Sequence, residues 1–147
     1  MNAEPLMDDG MCFACGRRNP GGLQLRFEFD GREAGAEITF GERFQGYRGV
    51  VHGGLVSTAL DEAMVTVLNR QGELALTAAL SVRFLAPARV GEPLRVAATL
   101  VSRRGRLRRL EARLTRGDGT ELARAEGTYF RVRSLPADGR ASGDRRP

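Results

Sequence analysis

A chain of 147 residues with 41% hydrophobic and 28% charged residues has the size and composition of one folded domain, which excludes a disordered or fibrous chain. All 23 basic residues behind the net charge of +5 are Arg and none is Lys, a wholesale replacement that reads as codon bias and weakens the case for a nucleic-acid partner. No apolar run approaches the roughly 18 residues of a membrane span, and the N-terminus lacks the basic start and apolar stretch of a secretory signal, so a cytoplasmic chain with no membrane partner is expected.

Residues 1–22 are rich in Gly, Pro, Asp and Asn, close on a strong turn signal at 17–22, and read as a lead-in segment. Cys12 and Cys15 within it offer two soft ligands where a structural zinc site needs four. With His52 the only histidine, no metal or other cofactor is expected, and the cysteines read as a reduced pair in a turn or packed segment. Over 23–30, Leu23, Leu25, Phe27 and Phe29 alternate with polar residues, the period of a half-buried strand. Gly31 then turns the chain into a second short strand near 34–40.

A glycine-punctuated loop, 41–51, leads to one helix, from about Gly54 to Arg70, with Gly72 as its C-terminal cap. Four strands follow, at 75–86, 94–102, 107–115 and 121–132, joined by turns at 90–93, 103–106 and 117–119. One helix on a single face of about six mainly antiparallel strands is an α+β arrangement. The domain spans 23–133, and the tail 134–147, with its Pro, Gly, Ser and Arg, is expected to be disordered.

Residues of the helix placed about 100° apart put Leu55, Val56, Ala59, Leu60, Ala63, Met64 and Val67 over one broad apolar arc. One sheet face covers only part of such an arc, so a second subunit is expected over the rest. The same wheel separates two adjacent carboxylates. Glu62 falls with Thr58, Thr66, Asn69 and Arg70 on a solvated face, whereas Asp61 falls among Met64, Val65 and Leu68 with Ser57 its polar neighbour. Asp61 is thus a candidate base or nucleophile, and Ser57 a candidate substrate contact.

His52-Gly53-Gly54 stands where the loop enters the helix. Two glycines there leave the first backbone N–H groups, at the positive end of the helix dipole, open to a ligand carbonyl. Preset donors at a developing oxyanion are the main electrostatic device of acyl transfer.

The stretch Gly46-Tyr47-Arg48-Gly49-Val50-Val51-His52-Gly53-Gly54-Leu55, followed by Asp61 nine residues after His52, resembles the His-Gly-Gly class of hotdog-fold thioesterases, among them the phenylacetate-pathway enzymes. The resemblance runs over about 12–132 and includes Cys12-Phe13-Ala14-Cys15-Gly16. It implies a central helix wrapped by a curved sheet and an acyl-CoA thioesterase whose active sites lie at the interface of a homodimer or homotetramer. It further implies that the Gly54 N–H polarises the carbonyl, that His52 orders the turn beside Gly53, and that Asp61 acts from the opposite subunit. Thr77, sixteen residues beyond Asp61, is implied to assist, and Gln45 stands nearest to the loop amide that several relatives carry.

The densest basic cluster is Arg103, Arg104, Arg106, Arg108 and Arg109. It reads either as a solvated hairpin or, through Arg103 and Arg104, as a patch for the phosphates of coenzyme A. Two other classes stay in view: a non-catalytic hotdog module binding an acyl ligand, and a hotdog hydratase or dehydratase. No helix-turn-helix pair accompanies the single apolar helix, which disfavours DNA reading.

Overall fold

The computed structural model describes residues 6–134. Residues 1–5 of the lead-in and 135–147 of the expected disordered tail lie outside the described residues. The elements in chain order are β1 (Glu28–Phe29), β2 (Glu33–Thr39), a 3-10 turn (Glu42–Phe44), α1 (Gly53–Arg70), β3 (Glu73–Phe84), β4 (Pro93–Arg104), β5 (Leu107–Arg116) and β6 (Glu121–Ser134). The strands form one antiparallel sheet in the order β1-β2-β4-β5-β6-β3. The crossover from β2 to β3 is α1, laid on one face of the curved sheet, and this is the hotdog fold.

Alternation explains which strand residues meet the helix. On β5, Arg108, Leu110, Ala112 and Leu114 are buried while the residues between Arg108 and Leu114 are exposed. On β6, Leu122, Ala125 and Tyr129 are buried. From α1 they meet Val56, Ala59, Leu60, Ala63, Met64, Val67 and Leu68, all buried, and each large side chain contributes roughly 1.5–3 kcal/mol. Gly72, at φ +83, takes the left-handed position that ends the helix. Among the described residues, no helix is long and apolar enough to cross a membrane.

Three expectations are corrected. The alternation over 23–30 forms a strand only at Glu28–Phe29. Upstream of it the chain turns inward: Leu23 N–H donates to Phe13 O at 2.8 Å and Leu25 N–H to Ala14 O at 2.9 Å, with Gln24 between them at φ +55. The period was right for burial, but the hydrogen-bonding partner is the cysteine turn. The second correction follows from the first, since the helix face holding Glu62, Thr66 and Asn69 is covered. Thr66 is 9% exposed, Glu62 lies against the cysteine turn, and Asn69 Oδ1 is buried without a partner among the described residues.

The third concerns the apolar arc of α1. Six of its seven residues are buried within the single chain and Leu55 is half-buried, so the helix does not call for a partner. Apolar side chains are left open along β3, the last strand of the sheet, with Leu76 51%, Leu80 37% and Phe84 55% exposed. A long apolar edge strand with unpaired N–H and C=O groups is a template for another strand.

Candidate active site

The carboxylate singled out on the helical wheel is held by two hydroxyls. Thr77 Oγ1 donates to Asp61 Oδ1 at 2.9 Å and Tyr129 Oη donates to the same oxygen at 2.7 Å. Thr77 on β3 and Tyr129 on β6 are direct partners in the sheet register. The register slips between Thr77 and Ala79, and such an irregularity re-aims a side chain relative to its neighbours along the strand. Tyr129 is fully buried, and burial together with the Asp61 carboxylate pushes its phenol well above the usual range, so it stays a donor.

Gly127 makes room for this arrangement. A Cβ placed there would lie 2.5 Å from the Tyr129 ring and 3.0 Å from Met64 Sδ. The phenol therefore lies across a bare stretch of β6 to reach under Asp61. Tyr129 had no motif to mark it in the sequence. The signal that could have found it was a tyrosine on the inward face of the last strand, since a buried phenolic hydroxyl needs a partner.

At the other end of the site, Gly54 N–H donates to His52 Nδ1 at 2.9 Å, so the histidine caps its own helix. With Nδ1 accepting, the neutral ring carries its hydrogen on Nε2. Gly54 N–H, expected to face a carbonyl, is thereby engaged within the turn. Gly53 N–H has no acceptor among the described residues. Phe84, at the end of β3, lies 3.5 Å from where a Gly53 Cβ would stand. His52 and Gly53 open onto a cleft of about 650 Å³, walled by apolar residues that include Val56, Phe84, Leu85 and Leu122.

The remaining candidates are placed less centrally. Ser57 Oγ donates back to Gly53 O at 3.1 Å, and Gln45 Oε1 accepts from Gly49 N–H at 3.0 Å, tying the loop before the turn. The basic cluster is partly spent inside the fold. Arg108, 5% exposed because it falls on the inward face of β5, pairs with Glu73 at 2.5 Å, and Arg103 pairs with the same carboxylate at 3.2 Å and with Gln71. Burial works to raise Glu73, but the two guanidinium groups outweigh it and hold the carboxyl below its ordinary 4.5. The Arg104 side chain is exposed and makes no hydrogen bond among the described residues.

Asp61 stands about 12 Å along the helix from Gly53, at about 1.5 Å per residue. Within one chain, Asp61 and the helix N-terminus do not meet at one carbonyl.

Comparison with known proteins agrees with this architecture. The sequence profile of the thioesterase superfamily matches residues 48–123, a stretch holding both the His52 turn and Asp61. The thioesterase superfamily protein RHA08564 is 24% identical with a TM-score of 0.78, over 88% of this chain and 68% of that one. A hypothetical thioesterase from Streptococcus pneumoniae TIGR4, solved with coenzyme A, is 17% identical over 76% of this chain and 88% of its own, with a TM-score of 0.72. That protein was also solved as two alanine mutants, at an aspartate and at a threonine sixteen residues further on. PaaI of the Escherichia coli phenylacetic acid degradation operon is 20% identical over 77% of this chain and 83% of its own, with a TM-score of 0.71. A comparison with curated protein sequences finds no significant match. The profile match, over more than half of the chain, together with the hotdog architecture around His52 and Asp61, makes this protein a member of the thioesterase superfamily.

Proposed function

We propose that this protein hydrolyses an acyl-CoA thioester to a free carboxylic acid and coenzyme A, from active sites shared between two copies of the chain. The observation that carries the reading is Asp61, held by Thr77 and Tyr129 on the same oxygen beside the open edge of the sheet. The spacing of sixteen between Asp61 and Thr77 equals that of the two residues mutated in the Streptococcus pneumoniae thioesterase.

Antiparallel pairing of two copies along β3 brings the Gly53 and Phe84 end of one copy toward the Glu73 to Thr77 end of the other. The cleft of one chain then faces Asp61 of the second, which removes the separation along the helix. The thioester carbonyl sits at the helix N-terminus on Gly54 N–H, released when the His52 ring turns away, with Gly53 N–H beside it. Either Asp61 takes a proton from water placed by Thr77 as the water oxygen attacks the carbonyl carbon, or Asp61 attacks that carbon itself and expels the thiolate. In the second case water then hydrolyses the resulting mixed anhydride, releasing the free acid, restoring Asp61 and supplying the proton. By either route the C–S bond breaks, and the thiolate takes up the proton as the coenzyme A thiol. Arg104, at the Glu73 end of β3, is a cation without an ion pair among the described residues and suits coenzyme A phosphates, with Arg103 beside it.

Turnover of a panel of short, long and aromatic acyl-CoAs, followed by release of free thiol, tests the reading. Asp61→Asn is expected to lower the rate at least 100-fold with the oligomer intact. An Asp61→Asn protein that keeps most of the wild-type rate overturns it.

A further inference from the structure

Outside this site lies a second cluster of chemistry. Cys12, Cys15 and Glu62 each offer one ligand atom, and the three atoms lie within 4.8 Å of one another. Cys12 Sγ is 3.9 Å from Glu62 Oε2. Zinc held by thiolates at about 2.3 Å places neighbouring ligand atoms about 3.8 Å apart across a tetrahedron, so closure needs movements of about 1 Å or less.

The turn that carries the thiols is fixed on its other side. Cys12 O accepts from Gly16 N–H, Phe13 O from Leu23 N–H, Ala14 O from Leu25 N–H and Cys15 O from Arg26 Nη1. Gly16 O takes Gln24 Nε2. A Cβ at Gly16 would come within 2.4 Å of Cys12 N, so only glycine closes this Cys-x-x-Cys-Gly turn. Every carbonyl of the turn is satisfied by the chain around it, and the two sulfurs are left aimed at the helix.

What they meet there is a carboxylate without a cation. Glu62 forms no ion pair among the described residues, and its charged neighbours, Asp61 and Asp8, share its sign. Two cysteine sulfurs and a carboxyl turned toward one point, with none of the chain's 23 arginines paired to that carboxyl among the described residues, suit a divalent cation that would take the place of their protons. Soft sulfur ligands exclude calcium and magnesium and favour zinc.

We propose that Cys12, Cys15 and Glu62 bind one zinc-class ion, with water in the fourth position, pinning the lead-in segment to the helix one residue from Asp61. Two cysteines alone fall short of a zinc site, and the third ligand comes from a helix residue fifty positions away that the wheel had placed in solvent. Binding displaces up to three protons, one from each ligand that is protonated beforehand. The proposal stands apart from the esterase reading, because its readout is the metal itself.

The test is elemental analysis of the full chain, expressed with added zinc, purified without chelator or metal-affinity resin and kept reduced. About one zinc per chain is expected. Cobalt(II) added to the stripped protein should give thiolate-to-cobalt charge transfer and the intense visible bands of a tetrahedral site. Cys15→Ser should abolish the charge transfer, and Glu62→Gln should keep it while weakening affinity at least tenfold. A wild-type protein that retains no zinc and shows no charge transfer at equimolar cobalt overturns the proposal, as does a folded Cys15→Ser protein that binds zinc unchanged. The wild-type cobalt spectrum decides the matter even where a variant fails to fold.

Discussion

Tyr129→Phe isolates one hydroxyl. The phenyl ring keeps the volume that packs across Gly127, so the substitution removes the 2.7 Å hydrogen bond to Asp61 Oδ1 and little else. Asp61 is left with the Thr77 hydroxyl at 2.9 Å. A hydrogen bond to a charged group contributes about 1.5–3 kcal/mol. If Tyr129 holds the carboxylate in its reactive orientation, that range converts to about a 10-fold to 150-fold loss of kcat/KM at about 1.4 kcal/mol per decade. The loss should fall mainly on kcat, since the phenol lies buried beneath the carboxylate and not in the cleft. The assay is thiol release from the best acyl-CoA of the panel, with oligomeric state and thermal midpoint measured on the same preparation. Thr77→Val should act in the same direction, and the double variant should lose less than the product of the two, because both hydroxyls serve one oxygen. A Tyr129→Phe enzyme within twofold of wild type, folded and assembled, would refute the positioning role.

Three further outcomes follow from the geometry. Gly127→Ala drives a methyl group to within 2.5 Å of the Tyr129 ring, and is expected to cost about 1–3 kcal/mol of stability in thermal or denaturant unfolding, with a loss of turnover comparable to Tyr129→Phe. Glu73→Gln leaves Arg108 buried without its counter-charge and should destabilise by about 3 kcal/mol at neutral pH. Because Glu73 titrates below 4.5 when folded, its contribution is complete above the unfolded value and is lost as pH falls through the folded one. Denaturant midpoints measured from pH 6 down to 3 should therefore converge for wild type and Glu73→Gln, and a gap that stays constant or widens at acid pH contradicts the ion pair. Leu80→Asp on the open edge should yield monomer in sedimentation and abolish hydrolysis together, whereas an active monomer would exclude the shared site.

Much of this protein was legible in local pattern. The helix stands within a residue of its expected limits because Gly53-Gly54 and Gly72 act through backbone geometry that needs no distant partner. The four later strands follow from period-two alternation between glycine-marked turns. Asp61 could be told from Glu62 by its position on the wheel, whereas its link to Thr77 was implied only by the resemblance to the thioesterases. A wheel, however, shows only which residues share a face, and says nothing of what covers that face. Residues 10–27 fold back over the side of α1 that polarity assigned to solvent, so Glu62 meets two cysteines instead of water. The same blindness to long-range contact hid Tyr129, brought to Asp61 only by the pairing of β6 with β3, and Arg108, turned inward by register to Glu73.

The sequence by itself determined the elements, their order and the acid on the helix, since those depend on interactions within a few residues along the chain. Only the tertiary structure decided how that acid is held, that His52 Nδ1 takes the Gly54 N–H, and that β3 leaves apolar side chains open while the apolar arc of the helix is covered. Each of these depends on groups far apart in the chain, whose contact is set by sheet register and by how the elements pack.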